Sequence, residues 1–194
     1  MKVYTETKIL KMDLGIQNRV ALILASSKGL GKAVAIELAK EGAKVIICGT
    51  DATALATTKA DIEAIAPNKV ASFVCDITDE AQRKNLVEQS VKAFGTIEIL
   101  VTNTGGPAAG AFEQFNLDDW KHLYNLLFLS AVDIIKQVLP GMKEKGFGRI
   151  LTITSVAVKQ PADNLISSNA VRTSLLGLVK KPVQRSSYLW YHGK

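Results

Sequence analysis

Sulfur and imidazole ligands are scarce in this chain. Its 194 residues include two cysteines, Cys48 and Cys75, and two histidines, His122 and His192. Two cysteines do not make the disulfide framework of a small secreted domain, and the histidines lack paired ligand spacing. We therefore expect neither a disulfide-stabilised fold nor a metal site. Each cysteine ends a predicted buried strand, as small core residues often do.

Long apolar runs and clustered charge are also missing. Residues 1–15 contain no apolar signal core, and no apolar run approaches the ~18 residues of a membrane span. We therefore expect a soluble, cytoplasmic protein with no membrane partner. The formal net charge is +6 at pH 7, but the 24 Lys and Arg residues are scattered. Nucleic-acid binding would rest on this composition alone, so a solvated basic surface is preferred and no nucleic-acid partner is expected.

Apolar residues are abundant, at 47% of the chain, which is enough for one domain with a substantial core. Apolar runs alternate with helical patterns along the sequence. The predicted strands are 19–25, 44–48, 70–75, 97–101 and 148–154. The predicted helices are 30–40, 53–66, 79–94, 118–145 with a break near Pro140, and 165–180. Continuous apolar strands separated by helices predict a doubly wound, Rossmann-like α/β fold whose parallel sheet is covered on both faces.

The strand–loop–helix–strand unit 19–50 is the most informative local pattern. Its loop carries Gly29 and Gly31 immediately before a helical stretch. Glycines allow a ligand to approach the backbone, and the start of the helix attracts anions such as the pyrophosphate of a dinucleotide. The alternative is that the glycines serve only a tight turn.

Across residues 14–180 the sequence resembles the short-chain dehydrogenase/reductase family, particularly its 3-oxoacyl-carrier-protein-reductase-like branch. The first loop of that family reads T-G-x-x-x-G-x-G, and residues 24–31 read LASSKGLG. The second and third glycines are kept, whereas Ala25 replaces the first and its methyl group crowds the turn. The resemblance implies cofactor binding by Ala25, Ser27, Lys28, Gly29, Leu30 and Gly31.

The same resemblance favours NADP(H) over NAD(H). The acidic residue that would bind the ribose of NAD falls at Gly49, which has no carboxylate, while Lys28 lies in the phosphate loop. A cation without an opposing acid suits a 2′-phosphate. Asp51 lies close enough to weaken this preference, and Lys28 is open to the alternative of a solvated loop lysine.

Two further segments match parts of the family's cofactor site. Asp76 matches the aspartate on the adenine side of the cofactor, although it is equally suited to capping the following turn. Asn103, Gly105 and Gly106 match the N-N-A-G signature, in which Thr102 and Thr104 are the substituted positions. The resemblance assigns this loop to sheet support and to the adenosine side; a simple turn after a strand is the alternative.

The catalytic positions depart from the family. Ser155 matches the family serine, but the tyrosine thirteen residues later is Ser168 and the lysine four further on is Arg172. A serine hydroxyl is a much poorer acid than a tyrosine with a lowered pKa, and arginine stays protonated. Ser155 and Arg172 are still expected to hold a carbonyl oxygen and stabilise negative charge.

The family's fourth catalytic residue, an asparagine, is also replaced. Its position falls at Leu127, with Asn125 two residues before it. A proton would therefore come from water, from the substrate or from Tyr124, which is more readily interpreted as a core residue of its helix.

The resemblance ends near residue 180, where the tail 181–194 changes character. Family members continue with two further strands and a substrate-covering helix, so the sequence predicts a C-terminally truncated fold. A frame change near Lys181 would produce such a tail, and resequencing the locus tests this hypothesis. We expect the whole chain, 1–194, to be one dinucleotide-binding domain, with 1–15 as a leader.

Two functions follow from these patterns. One is an oxidoreductase that moves hydride between NADP(H) and a small-molecule carbonyl or alcohol. The other is a nucleotide-binding or interaction protein that has kept the scaffold and lost the chemistry, as the replaced acid–base residues favour. Helices 118–139 and 165–180 resemble the pair that builds family oligomers, so self-association is expected in either case.

Overall fold

The computed structural model describes residues 13–107 and 109–180. A five-stranded parallel sheet runs through the described residues in the order β3-β2-β1-β4-β5. Its strands are β1 Val20–Ile23, β2 Lys44–Gly49, β3 Val70–Val74, β4 Ile99–Thr102 and β5 Arg149–Thr152. The helices are α1 Gly29–Lys40, α2 Ala52–Ile65, α3 Glu80–Phe94, α4 Leu117–Tyr124, α5 Ser130–Glu144 and α6 Ile166–Lys180. The predicted doubly wound α/β fold is confirmed.

Strand β1 lies at the centre of the sheet, paired on both sides. Its register aligns Ala21 with Val45 of β2 on one side and with Ile99 of β4 on the other. The chain therefore builds one side of the sheet, through β3, and then crosses back to add β4. In doubly wound sheets, ligands bind at the carboxyl ends of the strands where this reversal occurs.

The apolar strands are buried on both faces, as the sequence pattern predicts. Val20 and Leu22 belong to one core cluster, whereas Ala21 and Ile23 belong to the cluster on the opposite face. Successive side chains of a strand point to opposite faces, so a strand covered by helices on both sides must be apolar throughout.

The long apolar helix differs from its prediction. Pro140 lies inside α5, which continues to Glu144, and Met142 beyond the proline packs into the core at 2% exposure. The irregularity comes earlier, as a π-helical turn over Asn125–Leu129 between α4 and α5. The combined span Leu117–Glu144 is long and apolar enough to cross a membrane by length and composition, with 33% of its most apolar window buried.

Two predicted segments fall largely outside the described residues. The tail 181–194 does so entirely, as does the leader 1–15 except for its last three residues. There the backbone N–H of Gly15 donates to Asp13 at 2.8 Å, and Ile16 is buried against the sheet at 7% exposure.

Candidate cofactor and active site

The glycine loop between β1 and α1 has the geometry of a ligand cradle. Gly29 has a φ of +61°, and a Cβ atom added there would meet nothing within 4 Å. Gly31 is enclosed, because a Cβ there would lie 2.4 Å from the carbonyl oxygen of Ala25. One glycine thus leaves open space in front of the helix and the other allows the helix to pack on the loop. Ala25 has a φ of +45°, so the residue in place of the first family glycine is strained.

Side chains from three elements fix this loop. Ser26 is fully buried; its hydroxyl donates to the carbonyl of Ile23 at 2.7 Å and accepts from the backbone N–H of Cys48 at 3.0 Å. The amide of Asn103 donates to the Ala25 carbonyl at 3.1 Å and so links the loop after β4 to the loop after β1.

Thr58 of α2 adds a further bond, from its hydroxyl to the Ser27 carbonyl at 2.8 Å. Neither Ser26 nor Thr58 was among the predicted site residues. A serine directly after a buried strand was a usable signal for the first, but a threonine in a helical pattern offers none.

A cavity of about 410 Å³ opens beside the loop, at the carboxyl ends of β1, β2 and β4. Six of the predicted cofactor residues line it: Ala25, Ser27, Lys28, Leu30, Asn103 and Gly105. Gly29, Gly31 and Asp76 are the predicted residues outside that lining. Leu126 from the π-helical turn and Cys75 and Ile77 after β3 complete part of the wall.

The charged side chains near Gly49 decide the electrostatic character of the cavity. A Cβ at this position would lie 3.0 Å from the hydroxyl of Ser27, so a larger residue would displace that side chain. Lys28 is exposed at the cavity and precedes the first turn of α1. The carboxylate of Asp51 accepts from the backbone N–H of Ala54 at 2.9 Å and caps α2 instead of lining the cavity.

Asp76 takes the turn-capping role that was its alternative. Its carboxylate accepts from the backbone N–H of Thr78 at 2.9 Å and from the Thr78 hydroxyl at 2.7 Å. The cap of α3 is Asp79, whose carboxylate accepts from the backbone N–H of Gln82 at 3.0 Å. That hydrogen bond lowers the pKa of Asp79. Cofactor contact by Asp76 therefore stays a prediction.

Both cysteines are buried beside this site, in agreement with their prediction as core residues. Burial, reinforced by the nearby Cys75, raises the pKa of Cys48 to about 12. Burial, reinforced by the charge of Asp76, raises the pKa of Cys75 to about 11. The two thiols are therefore protonated and unreactive at neutral pH.

The predicted catalytic residues lie directly after β5 and on α6, and their side chains differ in solvent exposure. Ser155 is half-buried, and its hydroxyl accepts from the backbone N–H of Ala157 at 3.2 Å at the start of a 3₁₀ turn. Ser168 and Arg172 on α6 are 4% and 6% exposed.

Arg172 connects α6 to the loops after two strands. Its guanidinium donates to the carbonyl of Ile153 at 3.2 Å, to the Thr104 hydroxyl at 3.4 Å and to the Gly105 carbonyl at 3.4 Å. Burial lowers the pKa of Arg172. These neutral acceptors give the guanidinium a bracing role between loops; contact with a substrate oxygen stays a prediction.

Tyr124 and Asn125 on the long helix have environments that the sequence did not predict. Tyr124 is 42% exposed and stacks on Phe128, with ring centroids 5.0 Å apart, so its interpretation as a core residue was wrong. Asn125 donates to the Thr78 carbonyl at 2.8 Å, whereas Leu127 is fully buried. The π-helical turn shifts the helical register here, which apolar periodicity does not reveal.

Comparisons with known proteins agree with this architecture. The family model described as short chain dehydrogenase matches residues 19–182. The BbsD subunit of (2S)-[(R)-hydroxy(phenyl)methyl]succinyl-CoA dehydrogenase from Thauera aromatica is 38% identical over 144 residues, covering 74% of this chain and 58% of that protein. The NADPH-dependent reductase BacG of Bacillus subtilis is 26% identical, covering 85% of this chain and 64% of that protein.

A solved structure gives the same result in three dimensions. L-Sorbose reductase from Gluconobacter frateurii, complexed with NADPH and L-sorbose, superposes with a TM-score of 0.83 at 28% identity. The match covers 86% of this chain and 64% of that one. The chain thus spans about three fifths of the length of these relatives, and within that span it belongs to the short-chain dehydrogenase family.

Proposed function

We propose that this chain binds NADP(H) in the cavity beside the glycine loop and is an oxidoreductase acting on a small carbonyl or alcohol. The observation that carries the proposal is that Lys28 and Gly49 line one cavity at the reversal point of the sheet, beside the loop that carries Gly29 and Gly31. The open face of Gly29 admits a pyrophosphate, and Lys28 offers a cation near a position that lacks a carboxylate. Two of the relatives named above carry NADPH in their descriptions.

The residues present support separate roles for Ser155, Arg172 and Ser168. NADPH, when bound, supplies a hydride. In this proposal Ser155 orients the substrate oxygen by hydrogen bonding. Arg172 braces the loops that follow β4 and β5. Ser168 is too weak an acid to protonate an alkoxide efficiently, so water supplies the proton. We expect slow turnover as a result.

Cofactor titration tests the first half of the proposal. We expect NADPH to quench intrinsic fluorescence and to raise the melting temperature more than NADH at equal concentration. Lys28→Ala should reduce the affinity for NADPH about tenfold and leave that for NADH nearly unchanged, because one charge-assisted contact with the 2′-phosphate is lost. Lys40→Ala, which removes an exposed lysine at the far end of α1, is the matched control. Failure to bind either cofactor would overturn the proposal.

Turnover with a panel of ketones and alcohols tests the second half. Oxidation of NADPH by the unmodified protein, abolished in Ser155→Ala, would support an oxidoreductase. Tight NADPH binding with no turnover on any substrate would instead support the lapsed nucleotide-binding protein, for which the replacement of the acid–base pair at Ser168 and Arg172 is the specific observation.

We also propose self-association through helices 118–139 and 165–180. Two further proposals are that the protein is cytoplasmic and that residues 1–194 form a single dinucleotide-binding domain. Tyr124 and Leu129 are each 42% exposed on the long helix, which is a high exposure for large apolar side chains next to a core. Light scattering should give more than one chain per particle. Leu129→Lys should shift the distribution to the monomer, whereas Leu14→Lys, at another exposed leucine, should not.

A further inference from the structure

The turn over residues 76–79 forms one wall of the cavity. The turn follows an edge strand, β3. Ile77 within the turn and Cys75 immediately before it line the cavity. Asp79 and the start of α3 face solvent, so sheet pairing holds this turn from one side only. Its position is fixed by hydrogen bonds within the turn, from Thr78 to the Asp76 carboxylate, and by side chains from other elements.

Arg83 of α3 is one of the side chains that support the turn from outside. Its side chain is 5% exposed, and one guanidinium N–H donates to the Ile77 carbonyl at 2.8 Å. Its Nε donates to the carboxylate of Asp133 on α5 at 2.5 Å, and Gln137 donates to the other oxygen of that carboxylate at 3.1 Å. The guanidinium thus binds the wall and a core helix at the same time.

A second helix contact acts on the same turn. The side-chain amide of Asn125 donates to the Thr78 carbonyl at 2.8 Å, one residue beyond the carbonyl that Arg83 holds. Two consecutive carbonyls of the wall are therefore fixed by side chains of α3 and of the π-helical turn. Arg83 and Asn125 do not themselves belong to the cavity lining.

We propose that Arg83 is a positioning residue for cofactor binding, which holds the 76–79 wall closed by linking the Ile77 carbonyl to Asp133. The proposal rests on NADP(H) binding as the function of the cavity. A guanidinium presents its donors in a fixed fork and bonds two acceptors at a set angle, whereas a lysine ammonium is a point charge on a flexible stem. Arg83→Lys therefore keeps the charge and removes the geometry.

The two cysteines report directly on this wall. They are the only thiols in the sequence, Cys75 adjoining the wall at 2% exposure and Cys48 lying in the core at 0%. Opening of the wall should expose Cys75 alone, whereas global unfolding exposes both. The labelling rate of each cysteine with a maleimide, followed by peptide mass spectrometry, distinguishes the two events without cofactor or substrate.

We expect Arg83→Lys to increase the labelling rate of Cys75 about tenfold with that of Cys48 unchanged, and to weaken NADPH binding about tenfold, as the loss of one charge-assisted hydrogen bond would do. Asp133→Asn keeps an acceptor and should give the same pattern with a smaller amplitude. The control is Arg19→Lys, which alters a comparable ion pair with the 8%-exposed Glu98 at the opposite end of the strands. It should change neither the ratio of the two labelling rates nor the NADPH affinity.

Parallel increases in both labelling rates in Arg83→Lys, or an unchanged rate for Cys75, would overturn the inference. If the labelling shifts as expected but NADPH affinity is unchanged, the wall opens without serving the cofactor, and the positioning role is wrong. If the unmodified protein fails to bind NADPH, the proposed function is wrong, whereas the labelling rates still decide whether Arg83 holds the wall.

Discussion

The two regions of the candidate site differ in how strongly they depend on particular side chains. The half around β1 and α1 is made mainly of backbone: a left-handed Gly29, a closely packed Gly31 and carbonyls held by Ser26 and Asn103. The half around β5 and α6 depends on individual functional groups. There Ser168 lies where the family has its acid, and the Arg172 guanidinium is bonded to neutral loop atoms.

This difference gives a physical reason why the glycine loop keeps much of the family pattern while the positions of Ser168 and Arg172 do not. A loop built mainly from main-chain groups keeps its path when a side chain changes, at a cost in strain, as the φ of +45° at Ala25 shows. Acid–base chemistry is less tolerant, because replacing the catalytic group removes the side chain whose pKa suits the proton transfer. The following changes separate backbone effects from functional-group effects.

The largest effect is expected at Gly31. A methyl group there would lie 2.4 Å from a backbone carbonyl oxygen, so Gly31→Ala forces α1 away from the loop. Overpacking of this kind should lower the free energy of unfolding by about 3 kcal/mol and abolish NADPH binding. Urea unfolding and cofactor titration measure both. Gly177→Ala is the control: a Cβ there meets nothing within 4 Å inside α6, so stability should rise by about 0.5–1 kcal/mol. Equal effects at the two glycines would contradict the close packing.

Restoring the family acid should have the next largest effect. Ser168→Tyr together with Arg172→Lys should raise turnover of a ketone by about 100-fold, because a positioned acid then protonates the developing alkoxide. Single-turnover oxidation of NADPH measures the chemical step. Arg172→Lys alone should give no gain, since it supplies no acid, and a triple variant with Ser155→Ala should lose the gain. Unchanged turnover in the double variant would place the defect elsewhere.

A smaller gain in stability is expected at Ala25. Its φ of +45° costs an L-residue more than glycine, so Ala25→Gly should raise the free energy of unfolding by about 0.5–1 kcal/mol after glycine's greater unfolded-state entropy is included. Asn68→Gly is the comparison, because asparagine tolerates its φ of +61° and should gain almost nothing. A destabilised Ala25→Gly would show that the loop needs the methyl group.

The smallest effect is a pH dependence from the buried thiols. Their ordinary pKa is 9.0, and in the folded protein it is about 12 for Cys48 and about 11 for Cys75. The unfolded chain therefore loses these protons first, and the stability they contribute is complete below pH 9 and declines as pH rises towards 11–12. Cys75→Ala should flatten the alkaline decline of stability measured by urea unfolding. An identical slope in the variant would show that Cys75 ionises normally in the fold.

The sheet and the glycine loop could be predicted because their signals are local. The continuous apolar run around β1 requires burial on both faces, and Asp79 before α3 has the sequence of a helix cap that the structure confirms. The end of a strand followed by small residues and a helix needs no distant information.

The features that the sequence did not reveal depend on contacts between residues that are distant in sequence. Arg83 and Asp133 are 50 residues apart, and Arg172 bonds Thr104 across 68 residues. Periodicity could not locate the π-helical turn at Asn125–Leu129 or show that Pro140 is tolerated inside α5. Those outcomes depend on which neighbours satisfy the backbone, and a linear pattern does not contain that information.

The strand order also has a consequence for synthesis on the ribosome. Strand β1 can pair with β2 as soon as residue 49 has emerged, but its other edge waits for β4, whose Ile99 aligns with Ala21 across 78 residues. Until then one row of peptide groups in the most buried strand is unpaired and able to bind another chain. Nascent chains stalled between residues 50 and 100 should therefore be those most dependent on chaperones.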